Sequence, residues 1–178
     1  MAGLVSENYA QALLDIAREE NKVELYKGQL KNMQSVLRSS CDLRSVMLHP
    51  KIPKEDKKEI IKKLFQLDPY VQNFVEIIID KNRFRYFDDI CTEYTAAANE
   101  TLDIEVAYIT SAVRLEKGQV EAIKEMLHNK TGRRIETVEE VDPACIAGVR
   151  VRLKDMIIDN TVQTSLSHIK QGIAKTTL

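Results

Sequence analysis

Tryptophan is absent from this chain, and glycine (6) and proline (4) are scarce. Long irregular loops are therefore not expected. The three cysteines, Cys41, Cys91 and Cys145, are odd in number and widely spaced with no C-x-x-C pair, which fits reduced thiols better than a disulfide frame or a zinc site. No apolar run approaches the roughly 20 residues that cross a bilayer. The segment Val75–Ile79 is short and bracketed by charge. The N-terminus has neither the apolar core of a signal peptide nor an Arg/Ser-rich transit sequence, so a cytosolic start is expected. Neither sign of charge dominates. Residues 1–103 hold 15 basic and 17 acidic residues, and residues 104–178 hold 11 and 10, for a formal net charge of -1. That balance argues against a general nucleic-acid binder.

What is present is a helical pattern followed by a change of period. Hydrophobic residues make up 44% of the chain and charged residues 30%, ordinary for a globular protein of one large or two small domains. Val5, Tyr9, Ala12, Leu13 and Ile16 recur at helical spacing, and Ala10, Ala12 and Ala17 thin that helix so that another backbone can approach. A second stripe runs Val23, Tyr26, Leu30, Met33 and Leu37 and breaks at Ser39-Ser40. A short third helix stops at His49-Pro50, because the residue before proline is pushed out of the α region. Pro53 opens a helix with Ile60, Ile61, Leu64 and Phe65 on one side and Lys54, Lys57, Lys58 and Lys62 on the other, read as an exposed cationic face. After Asp68, an N-cap, and Pro69, a fifth helix is apolar nearly all round, with Val71, Phe74, Val75, Ile77, Ile78 and Ile79. Such a helix is buried on more than one side or carries a docking face in addition to its core face. A sixth follows Lys81-Asn82-Arg83 with Phe84, Phe87, Ile90, Tyr94, Ala97 and Ala98. Residues 1–103 thus predict an all-α bundle of about six helices.

From Ile104 the alternation has a period of two. A strand over Ile104–Thr110, a helix with Val120, Ile123, Met126 and Leu127 ending at Gly132, and a strand from Arg134 come first. Two further runs, Val149–Leu153 and Met156–Asp159, are split only by Lys154-Asp155 and read as a hairpin. Its Arg150 and Arg152 face opposite to Val149, Val151 and Leu153. Thr161 caps a last amphipathic helix with Val162, Leu166, Ile169 and Ile173. Residues 104–178 predict a small α/β (α+β) domain with a β-hairpin and two helices.

These pieces resemble a family. Tyr9-Ala10-x-Ala12-Leu13, His49-Pro50 with Ile52, the run Asn73–Arg83 ending in Asn82-Arg83, and Tyr94 match its helical part. Val141-Asp142-Pro143, Ala147-Gly148, Asp155 and Ile158-Asp159 match its C-terminal signature. The chain resembles, over its whole length, the delta subunit of bacterial F-type (rotary) ATP synthases, related to the mitochondrial oligomycin-sensitivity-conferring protein. It departs from the family pattern at Ala147, at Lys154 and at Asn160-Thr161, where glycine, glycine and Gly/x-Ser are usual. Lysine at a left-handed turn position is strained by about 1 kcal/mol, so a longer or different turn is expected at Lys154. The resemblance implies a non-catalytic stator (peripheral-stalk) subunit with no cofactor and no metal. It implies that residues 1–103 bind N-terminal helices of the α subunits of the catalytic head. Residues 104–178 would bind the b-type stalk subunits.

The expected α-subunit groove lies between the first and fifth helices, at Tyr9, Ala12, Leu13, Phe74, Ile77 and Ile78, although Leu13, Phe74 and Ile78 taken singly read more simply as core. Arg150 and Arg152 are the candidates for meeting acidic stalk residues, and Asp142, Pro143, Gly148, Asp159 and Thr161 are read as turn and cap determinants. The isolated chain is expected to be a monomer that reaches the cytoplasmic face of the bacterial cell membrane only through the complex. The alternative is a nucleic-acid-binding adaptor using Arg133, Arg134, Arg150 and Arg152, without the aromatic platform that such proteins use. Other chemistry finds little support. His49, His128 and His168 are isolated, with His49 read as a helix-end hydrogen bonder. Asp88-Asp89 and Glu139-Glu140 read as solvated faces. Ser165 and Ser167 beside His168 lack a nucleophile elbow, and Gly148 sits in no phosphate-binding frame.

Overall fold

The computed structural model describes residues 2–145, 148–154 and 156–159. The chain divides into two units, residues 1–102 and 103–178. Each is described by itself.

The first unit is a helical bundle: α1 (Ala2–Glu19), α2 (Val23–Ser39), α3 (Cys41–Leu48), α4 (Lys54–Leu64), α5 (Pro69–Asp80), a 3-10 turn at Phe84–Tyr86, and α6 (Phe87–Thr101). Asparagine ends two of these helices. Asn21 and Asn82 both adopt φ of 55°, a left-handed geometry that asparagine tolerates. In each case the residue after the asparagine donates back five positions, Lys22 N to the Ala17 carbonyl at 2.9 Å and Arg83 N to that of Ile78 at 2.9 Å, the closure that satisfies orphan carbonyls at a helix end. After the second reversal the chain turns once more, Tyr86 N to Arg83 carbonyl at 2.9 Å. Phe84 therefore lies in that turn, and α6 starts three residues later than the pattern of apolar residues suggests. Ser40 joins two helices: its amide closes α2 on the Val36 carbonyl, and its hydroxyl accepts from Leu43 N at 3.4 Å to cap α3.

The core of this unit is Leu13, Leu14, Tyr26, Leu30, Met33, Ile78, Ile90 and Tyr94, all fully buried. Ala10 and Ala17 are buried and Ala12 is exposed, so the small residues that admit α6 along α1 are the first two. The lysine face of α4 is not the free cationic surface expected, because its ammonium groups are tied to neighbouring elements. Lys58 pairs with Asp80 at 2.7 Å and Lys62 with Glu76 at 3.1 Å, both on α5. Lys54 Nζ donates to the Asp80 carbonyl at 2.7 Å. Lys57 is itself buried and donates to the His49 carbonyl at 2.8 Å. Lysines at the ends of α3 and α5 offset the negative pole of each helix, so most of this face is an internal fastening.

The second unit holds β1 (Ile104–Ser111), α7 (Lys117–Thr131), β2 (Arg134–Val141), a 3-10 turn (Pro143–Cys145), β3 (Val149–Leu153) and β4 (Met156–Asp159). The sheet order is β2-β1-β3-β4, with β1 and β2 parallel and the other pairs antiparallel. A parallel pair needs a crossover, and α7 supplies it. The helix opens on a reciprocal capping box between Glu116 and Gln119 and ends on Gly132 at φ 69°. The inward face of β1 carries Ala107 and Ile109, which pack with Val120, Leu127, Ile135, Val151 and Leu153. Tyr108 faces out. Glu105 shares the inward parity and is buried, its carboxylate held by Arg133 at 2.9 Å and Lys154 at 3.3 Å.

The hairpin expectation needs one correction. Leu153 pairs with Met156, so the loop keeps two residues, and Lys154 takes φ of 45°. The short turn is retained with lysine in the left-handed region, because lengthening it would shift the register and turn Val151 and Leu153 out of the core. Asp155, Asn160, the Thr161 cap and the final helix with Val162, Leu166, Ile169 and Ile173 lie outside the described residues.

Candidate docking surfaces

Helix α5 is fastened at both ends, and this positions its exposed face. At its start Asp68 caps the helix, Oδ1 accepting from Tyr70 N at 3.1 Å. The same carboxylate accepts from Tyr26 Oη at 3.1 Å and from Lys22 Nζ at 3.0 Å, while Asp68 N donates to Gln29 Oε1 at 3.1 Å. Burial pushes the Asp68 carboxyl up, but the hydrogen bonds from Lys22, Tyr70 N and Tyr26 outweigh it and hold the group below the usual carboxylate range. Burial, aided by Asp68, raises the Tyr26 phenol to about 12. At the other end Arg83 donates to Tyr9 Oη at 3.0 Å and lies over the Tyr9 ring at 5.4 Å. Tyr9 meets Phe74 edge-to-face at 6.1 Å, joining α1 to α5.

Of the residues expected to line a groove here, Leu13 and Ile78 are fully buried and Phe74 is 8% exposed. The first two are core and cannot touch a partner while the bundle is closed, which corrects their assignment to the groove. The surface that remains is Tyr9, half-buried, with Ala12 exposed one turn along α1, and Ile77 exposed beside Phe74 on α5. Tyr70 belongs to the same side of α5 at i and i+7 from Ile77, and it too is exposed. Tyr70 is not among the residues expected in the groove, although its spacing from Ile77 carries the signal. An edge-to-face aromatic pair flanked by two exposed apolar side chains is suited to receiving the apolar stripe of a helix.

The second unit exposes the outer face of its sheet. Strand register places Val138, Tyr108, Arg152 and Ile157 in one row across β2, β1, β3 and β4. The three apolar members are 46%, 46% and 63% exposed, enough to make this row the apolar band of the face. Arg152 lies over the Tyr108 ring at 5.1 Å, and in the next row Arg150 pairs with Asp159 at 2.8 Å. Asp159 therefore acts as a cross-strand partner. Among the turn determinants, Gly148 has φ of 98°, Asp142 N donates to the Ser111 carbonyl at 2.9 Å, and Pro143 starts the 3-10 turn. Tyr108, Val138 and Ile157 were not singled out from the sequence, because only register puts them side by side.

Arg133 is bound to Glu105 and Arg150 to Asp159, so the four arginines of the nucleic-acid alternative do not present a shared uncompensated face. His49 Nδ1 accepts from Lys51 N at 3.2 Å, a local helix-end bond. Among the described residues no group of three or more His, Cys, Asp or Glu side chains is placed to hold a metal ion, and no helix is long and apolar enough to cross a membrane.

Comparison with known proteins decides the family. The model of the ATP synthase delta (OSCP) subunit matches residues 5–173. The chain belongs to that family. It is 35% identical over 176 residues to the ATP synthase subunit delta of Desulforudis audaxviator, covering 98% of this chain and 97% of the relative. It is 33% identical to that of Syntrophomonas wolfei, covering 95% and 94%. A chain in the cryo-EM structure of the Toxoplasma gondii mitochondrial ATP synthase hexamer shares the fold, with a TM-score of 0.68 at 18% identity over 95% of this chain and 97% of that one. As a delta-family chain, the protein is a non-catalytic component of the peripheral stalk of an F-type ATP synthase.

Proposed function

We propose that this stator subunit links the catalytic head to the b-type stalk, with a separate face for each. In the first unit the Tyr9–Phe74 pair, with Ala12, Tyr70 and Ile77 around it, takes an N-terminal helix of an α subunit. In the second unit the outer sheet row of Tyr108, Val138 and Ile157, with Arg150 and Arg152, takes the stalk helices. The subunit is a monomer when isolated and is held at the cytoplasmic face of the bacterial membrane through these partners. The observation that carries the reading is the exposed apolar Ile77 on a helix fastened at both ends. A surface fixed before binding loses little conformational entropy on docking.

The test is a titration of the whole chain with a synthetic peptide of an α-subunit N-terminal helix. Ile77→Asp places a carboxylate in the apolar contact and is expected to weaken binding at least tenfold, about 1.4 kcal/mol, with an unchanged circular dichroism spectrum. Tyr9→Asp is a poorer probe, because Tyr9 also anchors Arg83 and Phe74. Unchanged affinity in Ile77→Asp would remove this face from the interface.

A further inference from the structure

We propose that the first unit carries a second docking site on a different side of α5, a cationic pocket that takes an acidic peptide segment with an apolar anchor. The cavity, about 320 Å³, lies between the end of α3, the start of α4 and the turn after α5. Its floor is apolar, with Met47, Ile79 and Phe84 buried and Leu48 exposed at the lip. Its polar rim holds Lys54, Lys57 and Arg85, and among the described residues no carboxylate lines it.

The charge balance of α4 sets this pocket apart. Lys58, Lys62 and Lys63 each have a carboxylate partner, in Asp80, Glu76 and Glu59. Among the described residues Lys54 and Lys57 do not: their ammonium groups are aimed at the carbonyls of Asp80 and His49. A carbonyl satisfies a donor but does not neutralise it, so both positive charges remain, that of Lys57 on a buried residue. Arg85 adds a third, engaged among the described residues with the face of the Tyr86 ring at 4.6 Å. An uncompensated charge next to apolar surface favours a partner that supplies the opposite charge and covers that surface together.

The site extends beyond one cavity. A smaller cleft shares Leu48, Phe84 and Arg85 and continues to Arg44 and Asp88. There a single carboxylate already faces two arginines, Arg38 at 3.3 Å and Arg44 at 3.1 Å, so the far end is also short of negative charge. An elongated, open, positively charged groove with an apolar floor matches a few residues of peptide: an aliphatic or aromatic side chain seated over Phe84, with carboxylates meeting Lys54 and Arg85 on either side.

The probe is an acetylated peptide Glu-Glu-Leu-Phe-Glu-Glu, titrated into the full chain labelled with nitrogen-15, with the Gln-for-Glu peptide as comparison. Saturable shifts at the amides of Met47, Leu48, Phe84 and Arg85 are expected, with a Kd of about 0.1–1 mM at low salt and at least tenfold weaker binding of the Gln peptide. Lys54→Gln and Arg85→Gln should each weaken binding threefold or more. Leu48→Ser should do the same without removing any charge. Leu48 and Arg85 are exposed, and glutamine at position 54 keeps an amide donor for the solvent-facing Asp80 carbonyl bond, so folding is preserved. Lys57 is left intact because it fastens the end of α3. Ile77→Asp should change nothing here. Equal binding of the two peptides, shifts centred elsewhere, or indifference to all three rim substitutions would overturn the proposal. So would inorganic phosphate or hexanoate producing the same shifts at comparable concentration, since that would make the pocket a small-anion site.

Discussion

Replacing Asp68 by alanine tests whether this one carboxylate fastens the start of α5, as the geometry indicates. Three losses follow. The N-cap bond to Tyr70 N goes, which costs about 1 kcal/mol. The Tyr26 hydroxyl, on a residue with no exposed surface, loses its acceptor, and an orphaned buried donor costs about 1–3 kcal/mol. Lys22, whose side chain is 37% exposed, loses a pair worth at most about 1 kcal/mol in that setting. The total is about 2–4 kcal/mol, since neighbouring terms do not add fully. For a unit of this size that corresponds to about 10–25 °C in Tm, readable by circular dichroism at 222 nm on the full chain. Two companions separate the terms. Asp68→Ser restores the cap and should recover about 1 kcal/mol. Tyr26→Phe removes the donor itself, so Asp68→Ala should cost less in the Tyr26→Phe background than in the native chain. Strictly additive costs, or a loss below about 0.5 kcal/mol in Asp68→Ala, would refute the account of Asp68 as a shared fastening.

The same carboxylate predicts an acid limb. Asp68 and Glu76 are both lowered when folded, Asp68 by bonds that outweigh its burial and Glu76 chiefly by the Gln72 bond. Their contribution is therefore complete above their unfolded values, near pH 4, and is lost as pH falls through the folded values; urea midpoints should be flat from pH 5 to 7 and drop below pH 4, less steeply in Asp68→Ala. Lys154→Gly removes left-handed strain together with the pair between an exposed lysine and the buried Glu105 carboxylate, which keeps Arg133 as its partner, and should raise the urea midpoint by an equivalent of about 0.5 kcal/mol; a lower midpoint would contradict the strain reading. Burial raises the Cys91 thiol, with Asp88 adding to it, whereas Cys41 is exposed. Iodoacetamide at pH 8 should modify Cys41 in the native chain and reach Cys91 only on unfolding, as read by peptide mass spectrometry. Ile157→Asp on the outer sheet face should lower recovery of b-type stalk subunits in a pull-down at least tenfold and leave the α-peptide titration unchanged; equal recovery would move the stalk contact elsewhere.

Legibility in the sequence followed the range of the interactions. The helices of the first unit were readable because their signals are local: a 3.6-residue stripe, His49-Pro50, and Asp68-Pro69 at the start of α5. The strand–helix–strand order around α7 was readable from a change of period and from Gly132, whereas the parallel pairing of β1 with β2 emerges only from the register. The faces were harder. The stripe of α1 mixes core residues with surface ones, because Tyr9 lies only about 40° around the helix from Leu13 and Ala12 about a quarter-turn, and a composition of small and apolar residues does not say which side meets α6. The lysines of α4 looked solvent-facing because cations usually are. Their acceptors, Asp80, Glu76 and the carbonyls ending α3 and α5, are visible only once α4 and α5 lie together. In β1 both alternating sets carry apolar residues, so period alone cannot choose the inward one. The hydrogen-bond register does, by setting Ala107 and Ile109 opposite Leu153 and Val151.

The fastening of α5 bears directly on the stator role. A subunit that resists torque must pass load between partners without yielding, and a docking helix free to slide would dissipate it. Here α5 is tied to α2 through Asp68, to α1 through Arg83 and Tyr9, and to α4 through Asp80 and Glu76. The ties at Asp68 and Arg83 lie at the two ends of the helix and those of Glu76 and Asp80 face α4, which leaves the side that carries Phe74 and Ile77 free of polar obligations and able to serve as the apolar contact. The arrangement also explains why few charges are spent on the proposed head-binding face. The carboxylates of α5 are engaged with neighbouring helices, so partner selection there rests on shape and apolar area, whereas the cationic pocket on the other side of α5 would select by charge. Two faces with different chemistry on one helix allow two partners to be held at once without competing, and the independence of Ile77→Asp and Lys54→Gln in the two titrations is the measurement on which that argument stands.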